Sequence, residues 1–159
     1  TPESAFALIR GAFHGAMFVY LTHFLNIPRA KLPAEREGIP PEIDDPARMR
    51  ERLLFCAEFQ QVEEAASLVH HYQQRGYPLD ALKTTIGTAL LREDSSFHTF
   101  QMVDAGFRQQ VLLGSDHADG RLALVAATRY MVAQKLRRNV LWSTQNALKL
   151  ARGEGLEGE

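Results

Sequence analysis

The chain has 159 residues, which is enough for one domain with a substantial hydrophobic core. Hydrophobic residues make up 45% of the sequence and charged residues 23%, and both shares are ordinary for a globular protein. The formal net charge is −1, so no overall positive field attracts nucleic acid, and we expect no nucleic-acid partner.

The sequence contains one cysteine, Cys56. An internal disulfide is therefore excluded, and so is a zinc site that needs two or more cysteines of this chain. A single thiol fits a reducing compartment, from which we expect a cytoplasmic protein.

No apolar run in the sequence approaches the roughly 18–20 residues of a membrane span. The longest candidate, residues 12–25, is broken by His14 and His23, so we expect no membrane span. A signal-peptide pattern is missing as well. The chain begins at Thr1 without a methionine, which fits a processed chain or a piece of a longer polypeptide.

A first helix is predicted over residues 4–26, because large apolar side chains recur there at steps of three and four residues. These side chains are Phe6, Ile9, Phe13, Met17, Tyr20 and Phe24. Pro28 would stop the helix. Arg10 and His14 fall inside or beside the apolar stripe. Since a cation on an apolar face has to pair, extend to solvent or bind an anion, we expect Arg10 to be buried in a structural ion pair.

Residues 27–46 hold five of the seven prolines of the chain. They are predicted to form an extended connection, partly in the polyproline II conformation. Binding to the groove of a partner protein is an alternative use of such a segment. We favour a plain interhelical connection, because loops normally run over the surface of a domain.

Asp45 and Pro46 predict the start of a second helix, because aspartate caps helices and proline suits the first helical position. We expect this helix to continue to residue 74. Its apolar stripe contains Phe55, Phe59, Val62, Ala66 and Val69. Glu58 lies within that stripe, which predicts a buried carboxylate paired with a cation such as Arg10.

Two more helices are predicted over residues 80–113, separated by the polar residues 93–96. We favour a restart of the helix with Asp94 or Ser95 as its cap over a kinked continuous helix. The restarted helix has two apolar faces, which predicts a central helix covered on both sides. Asp104 falls among the phenylalanines of one face and is predicted to be buried.

The last helix is predicted to begin near Gly120 and to be heavily buried over residues 122–132. Residues 135–138 are expected to form a basic, exposed turn, after which residues 141–150 continue the packing. Residues 153–159 lack a packing pattern and are predicted to be a disordered tail.

These elements predict an all-α fold, namely one bundle-like domain of about five helices without a sheet. The domain is expected over residues 1–152, with residues 27–46 as its proline-rich connection. No sheet is expected, because strand-like alternation of useful length is missing from the sequence.

One group of histidine and acidic side chains is a candidate metal site. Asp94 and His98 are four residues apart, so both side chains can share one helical face. Glu63 and His70 could approach from a neighbouring helix, and His14 from the first helix. Two imidazoles with two carboxylates make a workable Fe, Mn or Zn site. The spacing is not diagnostic, since the Glu-x-x-His pairs of ferritin-like sites are missing and a solvated helix edge explains Glu63 and His70 equally.

Three stretches of the sequence carry a resemblance to a known group of proteins. They are residues 14–33 (HGAMFVYLTHFLNIPRAKLP), residues 89–101 (ALLREDSSFHTFQ) and residues 148–154 (LKLARGE). Together they resemble the C-terminal helical region of uncharacterised bacterial proteins that carry a Rieske-type 2Fe–2S domain elsewhere in the chain. The resemblance extends over most of the sequence.

This resemblance implies a redox-associated protein, and it draws attention to the matching residues Glu93, Asp94 and His98. A Rieske centre needs two cysteines and two histidines, whereas this chain has one cysteine. We therefore expect no Fe–S cluster within this chain, and an iron–sulfur domain or subunit as a partner.

Two functions are compatible with the sequence. The first is a helical domain of a redox-associated protein with a His/carboxylate site for a metal or a small ligand. The alternative is a non-catalytic scaffold or assembly domain that binds partner proteins or forms a homo-oligomer. A nucleophile elbow and a Gly-rich phosphate loop are missing, so the sequence leaves open whether the chain is an enzyme.

Overall fold

The structure is a computed structural model that describes residues 2–22, 24, 31–35, 43–92, 95–134 and 140–153. Every regular element in these residues is helical, which confirms the all-α class. The described residues form a 3-10 turn over Pro33–Glu35 and seven α-helices rather than about five. The helices are α1 (Pro2–Thr22), α2 (Pro46–Glu58), α3 (Val62–Gln74), α4 (Leu79–Arg92), α5 (Phe97–Leu113), α6 (Ala118–Ala133) and α7 (Val140–Ala151).

The predicted number of helices was too low because the apolar stripe of residues 46–74 crosses a break in the backbone. Gln60 has a φ of 53°, a left-handed conformation that no helix interior contains. Phe59 closes α2 by donating its N–H to the Phe55 carbonyl, and α3 starts at Val62. The last predicted helix likewise corresponds to both α6 and α7, and the predicted basic turn between them lies outside the described residues.

The chain divides into two compact units, residues 1–32 and residues 33–159. Within the first unit, α1 is exposed throughout Ser4–Thr22, so Arg10 is exposed there and not buried as predicted. These 19 residues are long and apolar enough to cross a bilayer by length and composition, a criterion that core helices and signal sequences also meet. The absence of a membrane span and the single domain over residues 1–152 both stay predictions.

The second unit has its core where α2, α3, α4 and α6 meet. The largest side chains that are completely buried there come from all four helices: Met49, Leu53, Leu68, Tyr72, Leu82, Ile86 and Leu124. Helix α3 is the most enclosed, since seven of its thirteen residues are buried: Ala65, Ala66, Ser67, Leu68, Val69, Tyr72 and Gln73. The central helix of this unit is therefore α3.

Helix α5, predicted to be central, packs through one narrow face instead. Its buried residues are Thr99, Val103, Gly106 and Gln110, while Phe97 and Phe100 are exposed. Of the phenylalanines on the predicted face, only Phe107 packs against the core, and it is partly buried. Asp104 is exposed like Phe97 and Phe100, and it pairs with Arg108 at 2.9 Å.

Glu58 is also exposed, contrary to the prediction. The buried face of α2 consists of Met49, Leu53, Cys56 and Ala57. The predicted stripe was chosen on Phe55 and Phe59, and both of these side chains are exposed. In α2, the largest apolar side chains therefore do not mark the buried face of the helix.

Candidate ligand-binding pocket

The antiparallel pair of α3 and α6 positions a pocket of the second unit. At one end, Arg129 on α6 forms a two-pronged ion pair with Glu63 on α3, with 2.6 Å from Nη1 to Oε2. At the other end, the Gln73 side-chain amide donates from Nε2 to the backbone oxygen of Arg121 at 3.1 Å. These two ties fix the register of the pair.

One wall of the pocket is the turn from α3 to α4. Gly76 provides the left-handed conformation of this turn, with a φ of 68°. The buried Tyr72 hydroxyl donates to the Pro78 backbone oxygen at 3.2 Å and accepts from Arg50 Nη1 at 3.1 Å. The turn is therefore held to the core by a side chain of α3.

The opposite wall is the loop from α5 to α6. A Cβ atom on Gly120 would lie 2.1 Å from the Gly114 backbone oxygen, so only glycine allows the two ends of the loop to approach this closely. His117 caps α6 by accepting the Asp119 N–H at Nδ1, at 3.2 Å. The close approach of Gly120 to the Gly114 backbone oxygen brings the two ends of the loop together.

Between these walls lies a pocket of about 540 Å³, within the range of small-molecule sites. Most of its lining residues are polar: Gln73, Gln74, Gly76, Tyr77, Leu79, Ser115, Asp116 and Arg121. Such a lining suits a polar ligand rather than an apolar one.

The protein engages only some of the N–H donors of the Arg121 guanidinium. Its Nη1 donates to the backbone oxygens of Ser115 at 3.3 Å and Asp116 at 2.8 Å, which holds the loop. Within the described residues, its Nε and Nη2 groups have no partner. A guanidinium group has five N–H donors, so three of them remain for a ligand or water.

Gln73 also has unused hydrogen-bonding capacity. Its side chain is 8% exposed, and Nε2 donates to two backbone oxygens, those of Val69 and Arg121. Since both neighbours are acceptors, the amide nitrogen must face them. The other amide atom, Oε1, has no donor in the described part of the chain. A buried amide oxygen without a donor is rare in native proteins.

His70 lies one turn before Gln73 on α3 and is partly buried. Burial, and then the charges of His71 and Arg121, hold the pKa of His70 below its usual value. Its Nε2 atom is buried and finds no partner among the residues described. A neutral imidazole therefore lies within electrostatic reach of the Arg121 guanidinium.

Within the second unit, the described residues do not bring the predicted ligands Glu63, His70 and His98 together as a metal-binding group. Glu63 pairs with Arg129, and the exposed His98 contacts the Gln101 side chain at 3.1 Å. His14 belongs to the other unit, and Asp94 lies outside the described residues. No group of three or more His, Cys, Asp or Glu residues in the described ranges could hold a metal ion. The five-residue metal site and its Fe, Mn or Zn ion stay predictions.

Cys56 is unsuited to covalent catalysis in this environment. The thiol is completely buried, and its Sγ lies 3.7 Å from the Gln61 side-chain oxygen. Burial, and then the negative charge of Glu64, raise the pKa of the Cys56 thiol to about 12. The reactive thiolate is therefore scarce near neutral pH.

Sequence reasoning missed the pocket because it searched for histidines and carboxylates. Arg121, which lines the pocket, lies in the first turns of α6, directly after the segment Gly-Ser-Asp-His-Ala-Asp-Gly that joins α5 to α6. An arginine after a segment with glycine at both ends was the available signal, because its planar guanidinium can bind anions.

Comparison of the chain with protein-family models, with curated proteins and with solved structures gives no match. The resemblance to the Rieske-associated proteins therefore stays a prediction.

Proposed function

We propose that residues 33–159 form a small-ligand-binding domain, with the pocket between the α3–α4 turn and the α5–α6 loop as its site. The observation that carries this proposal is the half-used guanidinium group of Arg121 in the wall of a formed pocket. The association of this domain with a redox protein rests on the sequence resemblance alone.

The construction of the walls supports binding rather than a merely structural role. Tyr72 holds one wall to the core, and the contact of Gly120 with Gly114 closes the other. A site whose groups are fixed before the ligand arrives loses less conformational entropy on binding. If Arg121 served only to hold the α5–α6 loop, its Nη1 atom alone would be sufficient.

The test is a 1H–15N NMR titration of the chain with a panel of small polar metabolites. At least one compound should shift the backbone amide signals of residues 73–79 and 114–121 in a saturable way. Arg121→Gln should abolish the effect, whereas Arg108→Gln, on the exposed face of α5, should leave it unchanged. If no compound gives saturable shifts in this pocket, the proposal is wrong.

A second candidate function is assembly through α1 with further copies of the same chain. The observation that favours it is the exposure of large apolar side chains on this helix: Phe6, Leu8, Ile9, Phe13, Met17, Phe18, Val19 and Tyr20. An apolar surface of this kind is usually covered by another molecule. Assembly through α1 corresponds to the scaffold function that the sequence offered as an alternative.

Sedimentation velocity of the chain tests the second function. Phe13 and Phe97 are equally exposed, at 72% and 71%, which makes them a matched pair. Phe13→Glu should lower the sedimentation coefficient at high concentration, and Phe97→Glu should not. Co-sedimentation of monomeric chain with lipid vesicles would contradict assembly and assign α1 to a bilayer.

A further inference from the structure

The free edge of Arg121 has the geometry of a carboxylate receptor. Nη1 is engaged with two loop oxygens, which leaves the Nε–H and the Nη2–H groups on one side of the planar guanidinium. These two donors are parallel and spaced to match the two oxygens of a carboxylate. A carboxylate bound there would form two charge-assisted hydrogen bonds without disturbing the contacts that hold the loop.

The same pocket also contains acceptors that lack donors. Asp116 is exposed and is one of the lining residues, and within the described residues its carboxylate has no partner. The Gln73 Oε1 atom lacks a donor too. A ligand that presented only an anion would leave both acceptors unmatched and would be repelled by Asp116.

We infer that the ligand of this pocket is an α-amino acid, whose carboxylate binds the Nε/Nη2 edge of Arg121 and whose ammonium group faces Asp116. This inference rests on the proposed function, because it names the ligand class of the same site. An α-amino acid carries the required anion and cation only two bonds apart, so one small molecule satisfies both partners.

The charges of the pocket argue against two other ligand classes. A phosphate dianion would place two negative charges beside Asp116, and among the described residues that line the pocket only Arg121 could compensate them. A neutral polar molecule would leave the guanidinium edge with weaker, uncharged acceptors. The α-carboxylate and the α-ammonium group of an amino acid cancel in net charge and still offer both charges locally.

The experiment is an NMR titration of the full chain with each common α-amino acid and with its primary amide. The amide keeps the size and the ammonium group but removes the carboxylate. At least one amino acid should bind about tenfold more tightly than its amide, as expected for the loss of a charge-assisted, two-pronged contact. Equal affinity of acid and amide for every amino acid that binds would overturn the inference.

Matched variants separate the two halves of the inference. Arg121→Lys keeps the charge but not the planar edge, and it should remove most of the preference for the acid over the amide. Asp116→Asn should remove the preference for the amino acid over the same acid without its amino group. If Asp116→Asn leaves that preference intact, the assignment of the ammonium group is wrong.

The outcomes also distinguish this inference from the proposed function. Saturable binding of neutral compounds without binding of amino acids would refute the amino-acid assignment and leave the ligand-binding function standing. An absence of saturable binding by any probe would refute both. The comparison of acid with amide uses the unaltered chain, so it does not depend on whether the variants fold.

Discussion

Each end of the α3–α6 pair carries an arginine, and the two arginines make different contacts. At one end, both oxygens of the Glu63 carboxylate accept from Arg129, so the charge of that arginine is matched within the protein. At the other end, Arg121 donates to two loop oxygens from Nη1 alone, and its Nε–H and Nη2–H groups stay available for a ligand. An arginine on a helix pair is therefore structural or a binding candidate according to which of its donors are occupied.

The largest effect should come from the glycine that closes the pocket loop. In Gly120→Ala, the new Cβ would meet the Gly114 backbone oxygen at 2.1 Å, so backbone must shift. We expect a loss of about 3 kcal/mol in the free energy of unfolding, the upper part of the range for overpacking. Urea denaturation measures it.

Gly87→Ala is the matched control for this prediction, since its Cβ would meet nothing within 4 Å in α4. That variant should be slightly more stable than the parent, by about 0.5–1 kcal/mol, because alanine favours a helix interior over glycine. Equal stability of the two variants would contradict the close approach of Gly120 to Gly114.

A smaller effect is expected from the tyrosine that holds the opposite wall. Tyr72→Phe removes the hydrogen bonds to the Pro78 backbone oxygen and Arg50 while keeping the buried ring. We expect a loss of about 1 kcal/mol in unfolding free energy, together with weaker ligand binding. Thermal unfolding and the NMR titration report the two quantities.

The paired end should respond differently from the pocket end. Arg129→Gln breaks an ion pair that is partly exposed, at 31% and 46% for its two side chains, so solvent screens much of its energy. We expect a loss of about 0.5–1 kcal/mol in stability and unchanged ligand affinity. Arg121→Gln should show the reverse, with a large loss of affinity. A loss of ligand affinity in Arg129→Gln would contradict the distinction between the two ends.

The smallest expected effect is a pH dependence from His70. Because the pKa of His70 is lowered in the folded state, chiefly by burial, the unfolded chain binds this proton more readily. The contribution of His70 to stability is therefore complete above its ordinary pKa near 6.5 and declines as the pH falls toward the lower folded value. His70→Gln should flatten this part of the stability–pH curve. A folded-state pKa at or above 6.5 in an NMR titration would refute the expectation.

Sequence periodicity predicted the helical class and several helix starts. Asp45 caps α2 as expected, accepting the N–H groups of Ala47 and Arg48 at 3.0 Å each. The restart of the helix before α5 was also predicted, although Ser96 rather than Asp94 or Ser95 is the cap. A helix cap depends on only a few adjacent residues, so it can be predicted from the local sequence.

The errors came from features that depend on distant parts of the chain. Neither glycine nor proline marks the break at Gln60, so the sequence did not reveal that α2 and α3 are separate helices. The exposure of Asp104 depends on which face of α5 the rest of the unit covers. The pocket depends on contacts such as that of Gln73 with Arg121, which are 48 residues apart, and periodicity carries no information about such pairs.

The contrast between Arg121 and Arg129 can be measured directly from their side-chain Nε–H signals in 1H–15N NMR spectra. During titration with an amino acid that binds, the Arg121 signal should shift in a saturable way, in step with the backbone amides of residues 114–121. The Arg129 signal should stay where it is, because its carboxylate partner is already Glu63. Saturation of the backbone amides with an unmoved Arg121 signal would contradict the central claim that the free edge of Arg121 binds the ligand.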